Sequence, residues 1–284
     1  MVPSGATLGT AAAKLEEEGH IHSADAFLLR AKIFGSAEPI KAGEFTLPAG
    51  ASAARILTAL QAGDVIRRFI TIPEGFPSVL VHDRLMAEEL LTGEIAVPAE
   101  GSVLPATYDF ERGESRQAVL DRMQEAMTQT LAELWPTRTA RSIVKTPSEA
   151  VILASIVEKE TGVPEERRMV AGLYSNRIRE SIPLQADPTI IYPITRGRPL
   201  GRRIRRSEID AVNDYNTYTM DGLPIGPIAN PGREVIAAVL DPAETDALYM
   251  VADGSGGHAF ATSLADHNAN VAKWRALRRA RGEM

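Results

Sequence analysis

The chain has 284 residues, 44% of them apolar and 24% charged, with a formal net charge of −6 and no cysteine. That length allows two domains or one large one, and the composition is that of an ordinary globular protein. The acidic balance argues against a general nucleic-acid binder, and the lack of cysteine excludes disulfides, thiolate metal sites and cysteine nucleophiles. No apolar run approaches the eighteen or so residues that span a bilayer.

A short pattern recurs at 2-VPSGATLG-9, 47-LPAGASAA-54 and 72-IPEGFPSV-79. Each reads as a strand end, a turn and a helix start. Helices are expected at 8–21 (stopped at Gly19), at 23–35 with Ser23 as N-cap, and at 52–64, with a strand and turn at 43–50. Residues 1–66 thus form a small βααβ-type module. The chain starts abruptly at Met1, as expected either of a protein whose upstream anchor is absent or of a soluble protein's own beginning. Next come a strand at 67–75, a largely helical 76–94, and a Pro- and Gly-rich structured loop at 95–115. A long helix follows to about Trp135, its inward face marked by Val119, Met123, Met127 and Leu131.

The segment 151-VILASIVEKETGVPEER-167 places acids inside an apolar run. Thr146-Pro147-Ser148-Glu149 reads as a capping box with proline at the first helical position, and Gly162 with Pro164 as the stop. At about 100° per residue, with Ile152 at zero, the stripe of Ile152, Leu153, Ile156 and Val157 centres near 70°. Glu160 falls at about 80°, inside the apolar stripe, and Glu158 near 240°, on the far side. Glu158 and Lys159 are therefore expected to be solvated, and Glu160 to face the protein. A carboxyl among apolar neighbours has its charged form disfavoured, which makes a general acid still protonated near neutral pH. The alternatives are a Glu160 that escapes into solvent at the helix end, or a structural acid paired with an arginine.

A further helix is expected from Pro164 to about Glu180, with Asn176 on its flank. In 182-IPLQADPTIIYPI-194, Gln185 and Asp187 alternate with Leu184 and Ala186 as in a half-exposed strand, broken by Pro188. The run 196-RGRPLGRRIRR-206 reads either as an anion-binding loop or as a solvated hairpin, and its Pro and Gly content with the overall acidity favours the second. Residues 213–235 are too dense in Tyr, Asn, Gly and Pro for helix or regular strand. Such a long ordered loop suits sugar recognition, with rings stacking on pyranose faces and amides bonding hydroxyls, or serves as structural filling between helices. A helix at 231–242, a hairpin at 246–263 and a basic-ended amphipathic helix at 263–282 complete the chain. The five histidines show no metal-ligand spacing beyond the weak His20-x-His22, and His258, beside Phe260, either lines a cleft or anchors the hairpin. Walker, G-x-S-x-G and dinucleotide-binding patterns are absent, so no cofactor is expected.

The stretches 154-ASIVEKETGVPEER-167, 176-NR-177, 184-LQADPTIIY-192, 215-YNTY-218, 222-GLPIGPIANPG-232 and 251-VADGSGGHAF-260 together closely resemble the endolytic murein transglycosylases of the MltG or YceG-like family. The match covers about residues 140–275; the arginine-rich segment departs from it. The resemblance implies an α+β protein: a LysM-like βααβ module at 1–66, a connecting α/β region at 67–140, and a mixed helical/β catalytic domain with a deep glycan cleft at 141–284. It implies Glu160 as the single acid/base. The reaction implied is cleavage of the MurNAc-β-1,4-GlcNAc bond within glycan strands, leaving 1,6-anhydroMurNAc ends. Candidate substrate-binding residues are Asn176, Gln185, Asp187, Tyr215, Asn216, Tyr218, Asn230 and Phe260. Peptidoglycan glycan strands are the expected partner, with peptidoglycan synthases as candidates and no nucleic acid. The domain would be periplasmic, held at the inner membrane by an N-terminal anchor absent from this sequence. Two other readings stay open: a muramidase using Glu160 with Asp187, and a peptidoglycan-binding protein without catalysis.

Overall fold

A computed structural model describes residues 1–282 except Ser4, Ala37 and Asp64. Ser4 of the first Pro-x-Gly turn and Asp64, expected to close the third helix, therefore lie outside the described residues. The protein mixes helix and strand, as an α+β chain should, and divides into two compact units. The first comprises Met1–Ile70, Glu88–Gly93 and Tyr108–Ser115, and the second Thr71–Ala87, Glu94–Thr107 and Arg116–Met284. The stretch from 67 to 140 is thus shared out between the units.

In the first unit, helices α1 (Leu8–Glu17), α2 (Ala24–Phe34) and α3 (Ala53–Ala62) enclose a core of Ala12, Leu15, Phe27, Ile56, Leu57 and Leu60. Thr7, Ser23 and Ser52 cap them, each side-chain oxygen accepting a backbone N–H from the first turn. Isolated bridges join Val2 to Gly43 and Phe45 to Val65. Strand β1 (Arg68–Thr71) pairs with β2 (Thr107–Phe110). The second of these falls inside the segment expected to be loop. Three of its four residues, Thr107, Tyr108 and Phe110, favour a strand, but the surrounding Pro and Gly hide so short a signal.

The second unit carries α4 (Ser78–Ala87), α5 (Arg116–Leu134), α6 (Pro147–Glu160), α7 (Arg167–Arg179), α8 (Asp187–Thr195), the short α9 (Arg206–Ile209), α10 (Arg233–Leu240), strands β3 (Tyr249–Ala252) and β4 (His258–Ala261), and α11 (Leu264–Ala280). Helix α6 is its axis. Every residue from Ala150 to Val157 is buried, so α6 is enclosed on all sides rather than along one stripe. Leu153, Ile156 and Val157 pack with Val170, Leu173 and Tyr174 of α7 and Val235, Ile236 and Val239 of α10. Truncating one such fully buried Leu or Ile costs about 2–5 kcal/mol. Gly172 lets α7 pass close to the chain after α10: a Cβ there would lie 2.7 Å from the carbonyl oxygen of Ala243.

One local expectation fails. Residues 182–187 form no strand, although Leu184 and Ala186 are buried while Gln185 and Asp187 are exposed, the alternation expected. Asp187 opens helix α8 instead, with Pro188 at its first turn. Proline is pre-shaped for that position, and the preceding backbone turns through a left-handed Gln185 with φ 53°. The arginine-rich segment is partly neutralised by local partners: Arg198 pairs with Asp83, Arg202 with Glu208 and Arg206 with Asp210, and all six arginines are exposed. That is the solvated reading.

Candidate active site

Helix α6 ends at Glu160 because Thr161 turns to extended backbone, two residues after which Val163 leads into a short turn and α7. The end of a buried helix therefore delivers one carboxyl to the edge of the core. Thr146 caps the other end of α6 through the N–H of Glu149, with Pro147 at the first position, so the register rests on both ends.

Glu160 lines a cleft of about 320 Å³ with Tyr174 and Arg177 from α7, Gln185 and Asp187 from the bend into α8, Tyr218, Tyr249 and Met250 from β3, and His267 from α11. Its Oε1 is sealed from solvent and has no hydrogen-bond partner. Burial, reinforced by the negative charge of Asp187 and only partly offset by the Tyr174 hydroxyl, pushes its pKa up to about 7. Tyr174 is itself buried, and its hydroxyl is pushed well above the usual tyrosine range by desolvation and by Glu160, so it is a permanent donor.

Asp187 accepts a 2.6 Å hydrogen bond from the Tyr218 hydroxyl. Gln185 is held by its backbone N–H on the Thr217 carbonyl at 3.0 Å and by Arg177, whose Nη2 donates to Oε1 at 2.8 Å. Arg177 is 6% exposed and spends its other donors on the carbonyls of Pro183 and Leu248. It thus ties the Gln185 bend to the strand that begins at Tyr249, whose ring its guanidinium covers at 5.6 Å. A non-glycine residue held at positive φ beside a cleft is strain kept in place by its surroundings.

The other sequence candidates lie elsewhere. The Asn176 amide nitrogen donates to the carbonyls of Thr245 and Ala247 at 2.6 and 3.2 Å, joining α7 to the chain before β3. Asn216 is fully buried: its amide donates to the carbonyls of Ile209 and Ala211 at 2.9 and 2.7 Å and its oxygen accepts from the Tyr218 N–H at 3.0 Å. Asn230, also fully buried, accepts from the N–H of Val103 at 3.0 Å and donates to the Phe76 carbonyl and Ser78 Oγ at 2.9 and 3.1 Å. Tyr215 packs tilted against Tyr192, ring centroids 4.8 Å apart, and Phe260 packs on the core opposite Met250. His258 anchors the hairpin: its Nδ1 and backbone N–H both meet the carboxylate of Glu166 at 2.7 Å.

Glu158 is a correction to the helical wheel. Its carboxylate is 6% exposed, not solvated, and accepts the N–H of Gly232 at 2.8 Å, with Arg167 at 3.9 Å. Burial raises its pKa. Because α6 is surrounded, the far side of the wheel is also interior. The wheel missed Tyr174, Arg177, Tyr249 and His267 as cleft residues. Tyr174 and Arg177 share a face of α7 and were within reach of the same construction; nothing local marks Tyr249 or His267.

The chain is matched over residues 1–273 by the model of the YceG-like family, and it belongs to that family. It is 27% identical to a protein of Streptococcus pneumoniae serotype 2 named endolytic murein transglycosylase, over 96% of this chain and 57% of that protein. It is 26% identical to the Bacillus subtilis protein of the same name, over 94% of this chain and 82% of that one. The chain thus spans little more than half the length of the pneumococcal relative. A crystal structure of a YceG-like protein from Listeria monocytogenes superimposes with a TM-score of 0.60 at 25% identity, covering 94% of this chain and 97% of the other.

Proposed function

We propose that this chain cleaves the MurNAc-β-1,4-GlcNAc bond inside peptidoglycan glycan strands as a lytic transglycosylase, with Glu160 as its only acid/base. The observation that carries this reading is the Glu160 carboxyl, buried at the cleft wall with its pKa raised to about 7. The naming of the pneumococcal and Bacillus relatives agrees with it. Protonated Glu160 gives its proton to the glycosidic oxygen as the C1–O bond breaks, and the GlcNAc leaves with a free hydroxyl. The resulting carboxylate then takes the proton of the MurNAc C6 hydroxyl as O6 closes onto C1, giving the 1,6-anhydro ring and restoring the acid. No water and no cofactor enter. Asp187, whose carboxyl accepts the Tyr218 hydroxyl, adds to the burial that favours protonated Glu160 and would help stabilise positive charge developing on the sugar ring. In this reading the cleft is a glycan cleft and the first unit a LysM-like module that holds the strand.

One observation favours a second reading: Asp187 shares the cleft, and two carboxyls serve a muramidase. Mass spectrometry of glycan strands digested by the wild type and by Glu160→Gln separates them. Anhydro ends from the wild type, absent with a folded Glu160→Gln, are expected; ends carrying one added water would sink the single-acid mechanism.

A further inference from the structure

One cleft residue is not used by that mechanism. His267 lies in the first turns of α11, after the Ser263 N-cap, and its ring lines the same cleft as Glu160. The ring stacks on Tyr249, centroids 5.3 Å apart and planes 28° from parallel. Tyr249 in turn lies under the Arg177 guanidinium. His267 is therefore the outermost member of a three-layer stack whose inner layer, Arg177, also holds Gln185. Its Nδ1 is sealed from solvent and has no hydrogen-bond partner.

That sealed nitrogen decides what the ring can offer. A neutral imidazole carries one N–H and one lone pair. A buried N–H without a partner is rarer and costlier than an under-used acceptor, so the proton belongs on Nε2. Protonating the sealed Nδ1 would bury an unsatisfied cationic donor near Arg177, and burial and that charge together lower the histidine's pKa. The charged and titratable neighbours lining the cleft are Glu160, Asp187, Tyr174, Tyr218, Tyr249 and Arg177. Asp187 is engaged by the Tyr218 hydroxyl, and no protein acceptor is assigned to the neutral donor on the α11 side of the cleft.

We propose that His267 is a substrate-contacting residue, its neutral Nε2–H donating to an acceptor oxygen of the sugar bound beside Glu160. Sugar hydroxyls and N-acetyl carbonyls are the acceptors a glycan strand presents. The flat ring, braced by Tyr249, is fixed before substrate arrives, so little side-chain freedom is lost on binding. This inference rests on the glycan reading of the cleft.

The test uses the full chain and soluble uncrosslinked GlcNAc–MurNAc strands. Strand binding is measured in the Glu160→Gln background, where strands should stay intact. Adding His267→Ala should weaken binding about five- to tenfold, the size of one lost hydrogen bond, and His267→Gln, which keeps an N–H at similar reach, should recover part of it. In parallel, ¹⁵N-labelled histidine in the otherwise unaltered Glu160→Gln chain should give the Nε2–H tautomer, and that signal should move on strand saturation. Unchanged affinity in His267→Ala together with an unmoved imidazole signal would overturn the proposal while leaving the cleft's glycan reading intact. If Glu160→Gln binds no strands and the wild type cuts none, the glycan reading falls and the role of His267 with it. The imidazole measurement stands even where His267→Ala fails to fold.

Discussion

The cleft around Glu160 and the buried knots around Asn216 and Asn230 are both polar clusters in the interior, yet they differ in what their polar atoms are doing. In the knots every amide is spent: Asn216 bonds backbone carbonyls and an N–H, and Asn230 bonds two separate chain segments, around Phe76–Ser78 and at Val103. In the cleft, Glu160 Oε1 and His267 Nδ1 are buried with no partner at all. Buried polar atoms are almost always satisfied, because leaving one unpaired costs about 1–3 kcal/mol. The knots obey that rule and hold the long loop in shape. The cleft departs from it at those two atoms, which fits the proposed roles of Glu160 and His267 toward a substrate. Tyr218 belongs to both: its backbone N–H is fixed by Asn216 and its hydroxyl reaches Asp187.

If that contrast is sound, Glu160→Gln should have the largest effect on activity, lowering kcat by about 10²–10⁴-fold without loss of fold. Its effect on stability has a definite sign. Glu160's folded pKa of about 7 lies above its ordinary 4.5, so its contribution is present below pH 4.5 and is lost as pH rises through about 7. Glu160→Gln should therefore match the wild type in melting temperature near pH 4 and exceed it near pH 8. A variant that is less stable than wild type at pH 8 would contradict the burial of an unpaired carboxyl. Activity of the wild type should fall over the same alkaline range as the acid loses its proton.

Next in size, Asn230→Ala should cost about 2–4 kcal/mol in denaturant unfolding, because Val103, Phe76 and Ser78 lose their common partner. The folded fraction should keep the wild-type product. Loss of cleavage with unchanged stability would move Asn230 from scaffold to site.

Smaller again, Asp187→Asn removes the charge that helps raise Glu160. The alkaline limb of the pH–rate profile should move to lower pH by less than about one unit, since desolvation is the larger cause. Anhydro products should persist; their replacement by water-added ends would favour the two-carboxyl reading. Least affected of all should be Arg206→Ala, whose i,i+4 pair with Asp210 is exposed, with a change within about 0.5 kcal/mol.

The helices that carry the site were readable because their ends are written in local chemistry. Thr146-Pro147 and Ser263 cap α6 and α11 as their residue types require, and Gln185 and Asp187 turned out exposed beside buried Leu184 and Ala186. The orientation of Glu160 followed from 3.6-residue periodicity alone. Glu158 did not, because periodicity tells which side of a helix a residue occupies and not whether that side is covered. Strand β2, four residues within a Pro-rich stretch, carried too little pattern to stand out, and helix α8 was masked by an alternation that a left-handed bend produces as well as a strand does.

From sequence alone came the α+β character, the caps and register of α6, the inward carboxyl, and the family to which the motifs belong. Which of the polar residues in the 213–235 loop would be free and which consumed was settled only by folding. Composition marks Tyr215, Asn216, Tyr218 and Asn230 alike, but Asn216 is consumed by carbonyls a few residues upstream and Asn230 by the Phe76 carbonyl, 154 residues away in the chain. The same holds for the assembly of Glu160, Asp187, Arg177, Tyr249 and His267 around one cleft. Local sequence sets local conformation; a hydrogen bond's partner, and a carboxyl's pKa, depend on what long-range packing places beside it.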